Sequence, residues 1–183
     1  MKLIKTMIVF ALFAFISVTA QNKIDYSKEP GYFDYMQYTS LKPNDASTEV
    51  YLEEPLLKMV SKMAEDKKEG VGKIIAGLKL VRVNEFKVEK NELDNVSAAF
   101  ENIGKELTSK KWDRIIKMKQ VSNMVNVYVK PVDGVYGGLL VTMLDKNGKA
   151  TFVNIVGSID LDTLGKLSEE LKLPGLNKLK EKE

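Results

Sequence analysis

Asp145-Lys146-Asn147-Gly148 opens like a calcium loop, with oxygen-bearing side chains at alternate positions. An EF-hand also needs a bidentate glutamate at its twelfth position. Val156 stands there, so the four residues are read as a hairpin turn, for which Asn-Gly suffices without a metal. Asp160 and Asp162 flank a predicted helix start, where carboxylates ordinarily cap the chain and favour the helix dipole. Gly134, Gly137 and Gly138 lie between two predicted strands, not between a strand and a helix, so they are no phosphate-binding fingerprint. They are expected to permit a bulge or a close backbone approach. Ser61-Lys62 and Thr108-Ser109-Lys110-Lys111 bring hydroxyls near lysines without Ser-x-x-Lys spacing, and are read as solvated helix surface. Met59, Met63, Met118, Met124 and Met143 are too dispersed for a copper site, and are read as core filler.

Trp112 is the single tryptophan, and it enters the strand that carries Arg114. One account makes it an amphipathic anchor that caps the core. The other places Trp112, Arg114 and Tyr128 on one ligand-facing patch.

Two absences narrow the chemistry. The 183 residues contain no histidine and no cysteine. Ser-His and Cys-His relays, imidazole and thiolate metal ligands, and disulfides are therefore excluded. Carboxylates, lysines and tyrosines remain, but no pair points to catalysis. The expectation is a non-enzyme without a cofactor.

The elements that would position these residues can be read from periodicity. Val50 and Leu52 alternate with Tyr51 and Glu53 as in a half-buried strand. Pro55 suits the first turn of a helix whose Leu56, Leu57, Val60, Met63 and Ala64 share one face. Val71 to Ala76 is a second, short helical piece, and Leu78 to Phe86 a strand. Asn91 is a candidate N-cap for the clearest amphipathic helix, with Leu93, Val96, Phe100, Ile103 and Leu107 at steps of three and four. Four strands follow: Arg114 to Val121, Met124 to Lys130, Leu139 to Leu144 and Thr151 to Val156. Asp133-Gly134 and Asn147-Gly148 mark tight turns. Ser158 or Asp160 would cap a last helix bearing Leu161, Leu164, Leu167 and Leu171, stopped by Leu173-Pro174-Gly175. Strands gathered late and joined by hairpins indicate one α+β domain over residues 48–173. The expected sheet is mainly antiparallel, of about five to six strands, with helices packed on one face.

The ends have a different character. Lys2 and Lys5 precede the apolar run Met7 to Val18, and Val18-Thr19-Ala20 offers small residues for cleavage. This is the pattern of a secretory signal peptide over residues 1–20, cut between Ala20 and Gln21. The run is too short for a membrane span of about 20 residues, so no transmembrane segment is expected in the mature chain. Without cysteine there is no lipid anchor. The expected address is the periplasm, with secretion or surface association as alternatives.

Removing Lys2 and Lys5 lowers the 28 basic residues to 26 against 25 acidic ones, a net charge of +1. That balance argues against nucleic acid as a partner. At 44% hydrophobic and 29% charged, the chain has globular composition. Residues 21–47 form a polar arm with Tyr32, Phe33, Tyr35, Met36 and Tyr38 between breaker clusters. Its aromatics either cover the edge of a core, the favoured account, or form a partner-binding strip through Tyr32, Phe33, Tyr35 and Tyr38. Residues 174–183 are a lysine-rich tail, expected to fray.

With the elements placed, several segments carry a family resemblance. They are Glu49-Val50-Tyr51-Leu52 leading into Leu56-Leu57, Leu78-Lys79-Leu80-Val81-Arg82-Val83, Lys111-Trp112-Asp113-Arg114, Val125-Asn126-Val127-Tyr128-Val129-Lys130, and Val153 to Leu161. Their order resembles an uncharacterised bacterial family, Domain of Unknown Function 4252, found in exported Bacteroidetes proteins. The resemblance implies a periplasmic or surface-associated α+β domain of a Gram-negative bacterium, and no established activity or functional residues. Asp162-Thr163-Leu164 also resembles the short O-glycosylation motif of those bacteria, although helix capping accounts for Asp162 and Thr163 without it.

The function expected is a non-catalytic exported domain that binds a protein or envelope partner. A small-ligand carrier or sensor, with a cavity between sheet and helices, is the alternative. A carboxylate- or lysine-based enzyme ranks third. If the arm is the binding strip, deleting residues 21–45 would abolish partner capture and spare stability.

Overall fold

In the computed structural model the chain is described over residues 24–38, 41, 47–65, 71–120 and 123–159. The expected leader with its Ala20–Gln21 junction, the last expected helix, Thr163 and the expected tail lie outside the described residues.

Six strands form one sheet: β1 (Thr48–Glu53), β2 (Leu78–Lys87), β3 (Asp113–Lys119), β4 (Met124–Val132), β5 (Val135–Leu144) and β6 (Lys149–Ile159). Their spatial order is β1-β2-β6-β5-β4-β3, and every neighbouring pair is antiparallel. Among the described residues three α-helices accompany them: α1 (Glu54–Glu65), α2 (Val71–Ala76) and α3 (Leu93–Ser109). The expected α+β class and the four-strand meander are both present.

Both hairpin turns form as their residues demand. Asp133 and Gly134 take φ of 46° and 84°, and Gly148 takes 77°, the positive values such turns need. Asp145 is absorbed by its own turn, where its Oδ1 accepts from the Asn147 and Lys149 amides at 2.8 and 3.0 Å.

The helices divide between the two faces of the sheet, where one-face packing was expected. The reason lies in the strands, which are apolar on both sides. On the first face Phe86, Tyr128, Leu140 and Phe152 meet Val96, Phe100, Ile103 and Leu107 of α3. On the second, Val125, Val127, Val141, Val153 and Ile155 cluster with Leu57 of α1 and Ile75 of α2. α3 thus buries the stripe that its spacing predicts. It begins differently, however: Asn91 lies inside a 3-10 turn (Lys90–Glu92), and Glu92 caps α3 without a side-chain bond to the helix amides.

α1 departs furthest from its sequence reading. Leu57 is buried, but Leu56, Met59, Val60 and Met63 are exposed. Ser61, expected on the solvated side, is buried and donates to the Gly72 carbonyl at 2.9 Å. The helix turns a narrower side inward, toward α2 and the β1–β2 end of the sheet. Met59 and Met63 are consequently not core filler, whereas Met124 is.

Candidate functional site

The arm is built on two 3-10 turns, Tyr26–Lys28 and Tyr35–Gln37, each capped by an aspartate. Asp25 and Asp34 accept from the Ser27 and Met36 amides at 3.0 Å. Between the turns, Asn154 of β6 holds the backbone. It accepts from the Phe33 amide at 3.0 Å and donates to the Gly31 and Leu139 carbonyls at 2.9 and 3.3 Å. Gly31 lies so close to Gly137 and Gly138 that a Cβ there would overlap the Gly137 carbonyl. These glycines permit the close approach expected of them, at the irregularity where β5 slips against β6.

That clamp decides the fate of the aromatic strip. Phe33 and Tyr35 are buried against Phe152, with the Tyr35 and Phe152 ring centroids 4.3 Å apart. The Arg82 guanidinium stacks on Tyr35 at 4.6 Å, as cations do over aromatic faces. Tyr32 is half-buried against the cluster of Tyr26, Leu80 and Val156. The arm therefore presents no exposed row of Tyr32, Phe33, Tyr35 and Tyr38; its rings close the first face of the sheet. Beneath it the Tyr35 hydroxyl, Arg82 Nε and both polar atoms of the Asn84 amide are buried without a hydrogen-bond partner.

Tyr38 ends the arm at α3. Its hydroxyl donates to Glu106 at 2.7 Å, Gln37 Nε2 donates to the same carboxylate at 3.2 Å, and Lys110 pairs with it at 2.6 Å. Burial acts to raise Glu106, but the bonds from Lys110, Tyr38 and Gln37 outweigh it and hold the carboxyl below its usual range. Burial first, and then the Glu106 bond, push the Tyr38 hydroxyl up, so it stays a donor.

The second expected patch is brought together only in part. Arg114 and Tyr128 are register partners on β3 and β4, and Trp112 precedes β3, its amide bonded to the Leu107 carbonyl at 2.9 Å. Trp112 and Tyr128 nevertheless belong to the core under α3, and only Arg114 is exposed. Gly104 of α3 makes room for the Tyr128 hydroxyl, which a Cβ would overlap. Burial pushes the Tyr128 hydroxyl up, and Arg114 partly offsets this.

Three surface features remain. An open groove of about 600 Å³ separates the Tyr35–Gln37 turn from α3, with Gln37, Tyr38, Glu92, Asn95 and Asn102 around a floor of Ala98 and Ala99. A smaller one, about 390 Å³, opens between the first turn of α3 and the strand ends, near Asp94, Lys119, Asn123 and Lys146. The third is an apolar stripe. Met59 and Met63 are 54% and 60% exposed, and Leu56, Val60, Val50 and Tyr51 are exposed beside them. It borders β1, an edge strand. Among the described residues no group of three or more His, Cys, Asp or Glu side chains could hold a metal ion, and no helix is long and apolar enough to cross a membrane.

Sequence reasoning missed Asn154, Glu106, Gln37 and the exposed side of α1. The first three are single polar residues whose bonds between the arm and the rest of the fold span 68 to 123 positions. For α1 a signal exists: Met59 adds a second apolar arc at 56, 59, 60 and 63 beside the one through 57 and 64. One helix cannot bury both arcs on a single sheet.

Neither the curated proteins nor the solved structures contain a match to the chain. A family model does match, over residues 38–167, from the end of the arm through the whole sheet. That span exceeds half the chain, so this protein belongs to the family of the domain of unknown function DUF4252.

Proposed function

We propose that this chain is an exported, non-catalytic binding domain of the bacterial cell envelope, and that it docks a protein partner on the β1 edge and the outer face of α1. The observation that carries the reading is the exposed stripe Leu56-Met59-Val60-Met63. Spacing of i, i+3, i+4, i+7 is that of a helix face that anchors a partner. Methionine supplies a soft, adaptable contact surface. Alongside, β1 leaves one backbone edge unpaired among the described strands, where a partner strand can add.

Charge selects the partner. Along the edge Glu49 faces Arg82 at 3.6 Å and Glu54 pairs with Lys58 at 2.6 Å, so Glu53 is the acid left to favour a segment bearing lysine or arginine. A second copy would set two acidic edges together. The non-catalytic part of the proposal rests on the absence of histidine and cysteine, and the envelope address on the leader pattern of residues 1–20.

The test replaces Met63 with a photo-crosslinking residue in the full chain in cells, with Lys146 as the control position. A discrete adduct with another protein is expected from Met63 alone. It should vanish in Met59→Glu, whose stability should stay within about 0.5 kcal/mol of the parent because the site is on the surface. An adduct that survives Met59→Glu, or one of twice the chain's mass, would overturn the proposal.

A further inference from the structure

We infer that the groove between the Tyr35–Gln37 turn and α3 is a binding site for a neutral, hydroxyl-rich ligand, a saccharide. It is a surface separate from α1 and β1, and it stands on different observations.

The first is the inventory of its walls. None of the described lining residues is cationic, so nothing there selects a phosphate or a carboxylate. Lys110, nearby, is committed to Glu106. The apolar part of the lining is two alanines and the flank of Tyr38, which gives a lipid chain or an aromatic ligand little to bury against. What remains is three amides and a carboxylate, with a volume in the range of small-molecule sites.

The second is that these groups are held in place. Glu106 binds the Tyr38 hydroxyl and the Gln37 Nε2. Glu92 accepts from Asn95 Nδ2 at 2.8 Å. The amide oxygens of Gln37 and Asn95 have no protein donor among the described residues, Asn95 Nδ2 keeps a second N–H, and Asn102 has no hydrogen-bond partner among them. The groove thus offers both acceptors and donors, and the complement to such a mixed set is the hydroxyl, which both donates and accepts. The Ala98–Ala99 floor is low enough for the flat side of a sugar ring to approach the helix.

The third is a cost that, at Asn102, has no structural return. Asn95, Ala98, Ala99 and Asn102 form one stripe of α3 at i, i+3, i+4, i+7. Asparagine is a poorer helix former than lysine or glutamate, which occupy other exposed positions of α3 such as Lys105. Packing does not require either asparagine, since both are exposed. Ligand recognition supplies a reason to keep them.

The test is a titration of the isotopically labelled whole protein with maltotriose, cellotriose and tri-N-acetylchitotriose, followed through side-chain amide NMR signals. Saturable shifts at Gln37, Asn95 and Asn102 are expected for at least one sugar, with a Kd of about 1 mM or tighter. The double variant Asn95→Lys/Asn102→Lys should remain folded, being richer in helix formers, and should lose about tenfold or more in affinity. Absence of localised shifts with all the sugars at about 10 mM, or parental affinity in the double variant, would overturn the inference. So would saturable binding of inorganic phosphate or dodecanoate at these amides in place of a sugar.

Discussion

Gly104 shows how one residue sets the packing of a face. It stands in the middle of α3, where glycine is unfavourable, yet Tyr128 occupies the space its side chain would fill. Gly104→Ala gains up to about 1 kcal/mol of helix propensity, while overpacking costs about 1–3 kcal/mol. A net loss of about 1–2 kcal/mol in chemical denaturation is expected. Tyr128→Phe in the same chain should recover part of it by removing the overlapping hydroxyl, a coupling that a double-mutant cycle measures. Equal effects of Gly104→Ala in both backgrounds would show that the hydroxyl is not what the glycine accommodates. Arg82 is instructive in the same way: a charged residue on the inward side of β2, it is buried, with Tyr35 under its guanidinium and Glu49 at 3.6 Å from its Nε.

Among the elements, the arm is the one whose role changes most between sequence and structure. Asn154 bonds its backbone at Gly31 and Phe33. Asn154→Leu leaves a buried donor and acceptor unpaired, at about 1–3 kcal/mol each. A total loss of about 2–6 kcal/mol is expected, with a fall in Tm of roughly 5–20 °C and faster proteolysis within residues 26–38. An unchanged Tm would mean that the arm is held by its rings alone. By the same logic, deleting residues 21–45 should collapse stability, because Phe33 and Tyr35 close the core.

The junction of the arm with α3 should also depend on pH. Glu106 is held below its ordinary value of 4.5, so its contribution is complete above that value and is lost as pH falls through the lower folded one. Glu106→Gln should therefore lower Tm at neutral pH and converge on the parent as pH falls through the lowered Glu106 value. A deficit that persists in acid would assign the effect to shape, not charge. This much was only half legible beforehand: the aromatic content of the arm was plain, but its anchor lies more than a hundred residues downstream.

At the scale of the whole molecule, an antiparallel sheet covered on both sides does without disulfides. The chain has no cysteine, and it has clusters of buried side chains on both faces of the sheet. Export itself is open to a direct measurement. N-terminal sequencing of the protein recovered from whole cells should begin at Gln21; a chain that retains Met1 to Ala20 would remove the envelope from the proposed function.

The amino-acid sequence by itself determined the secondary structure of the described residues to within a few positions, the meander, its turns and the α+β class. Each of these depends on neighbours close in the chain: alternation in Val125–Val129, the three-and-four spacing from Leu93 to Leu107, the positive φ of Asp133 and Gly134. Tertiary structure alone decided which apolar surface would be hidden. Phe33 and Met63 are equally apolar in sequence, yet Phe33 is buried on Phe152 and Met63 faces solvent. Periodicity says that a side is apolar, but burial requires a partner surface to cover it. Asn154, from the far end of the chain, draws the arm onto the first face, while among the described residues no element covers the outer arc of α1.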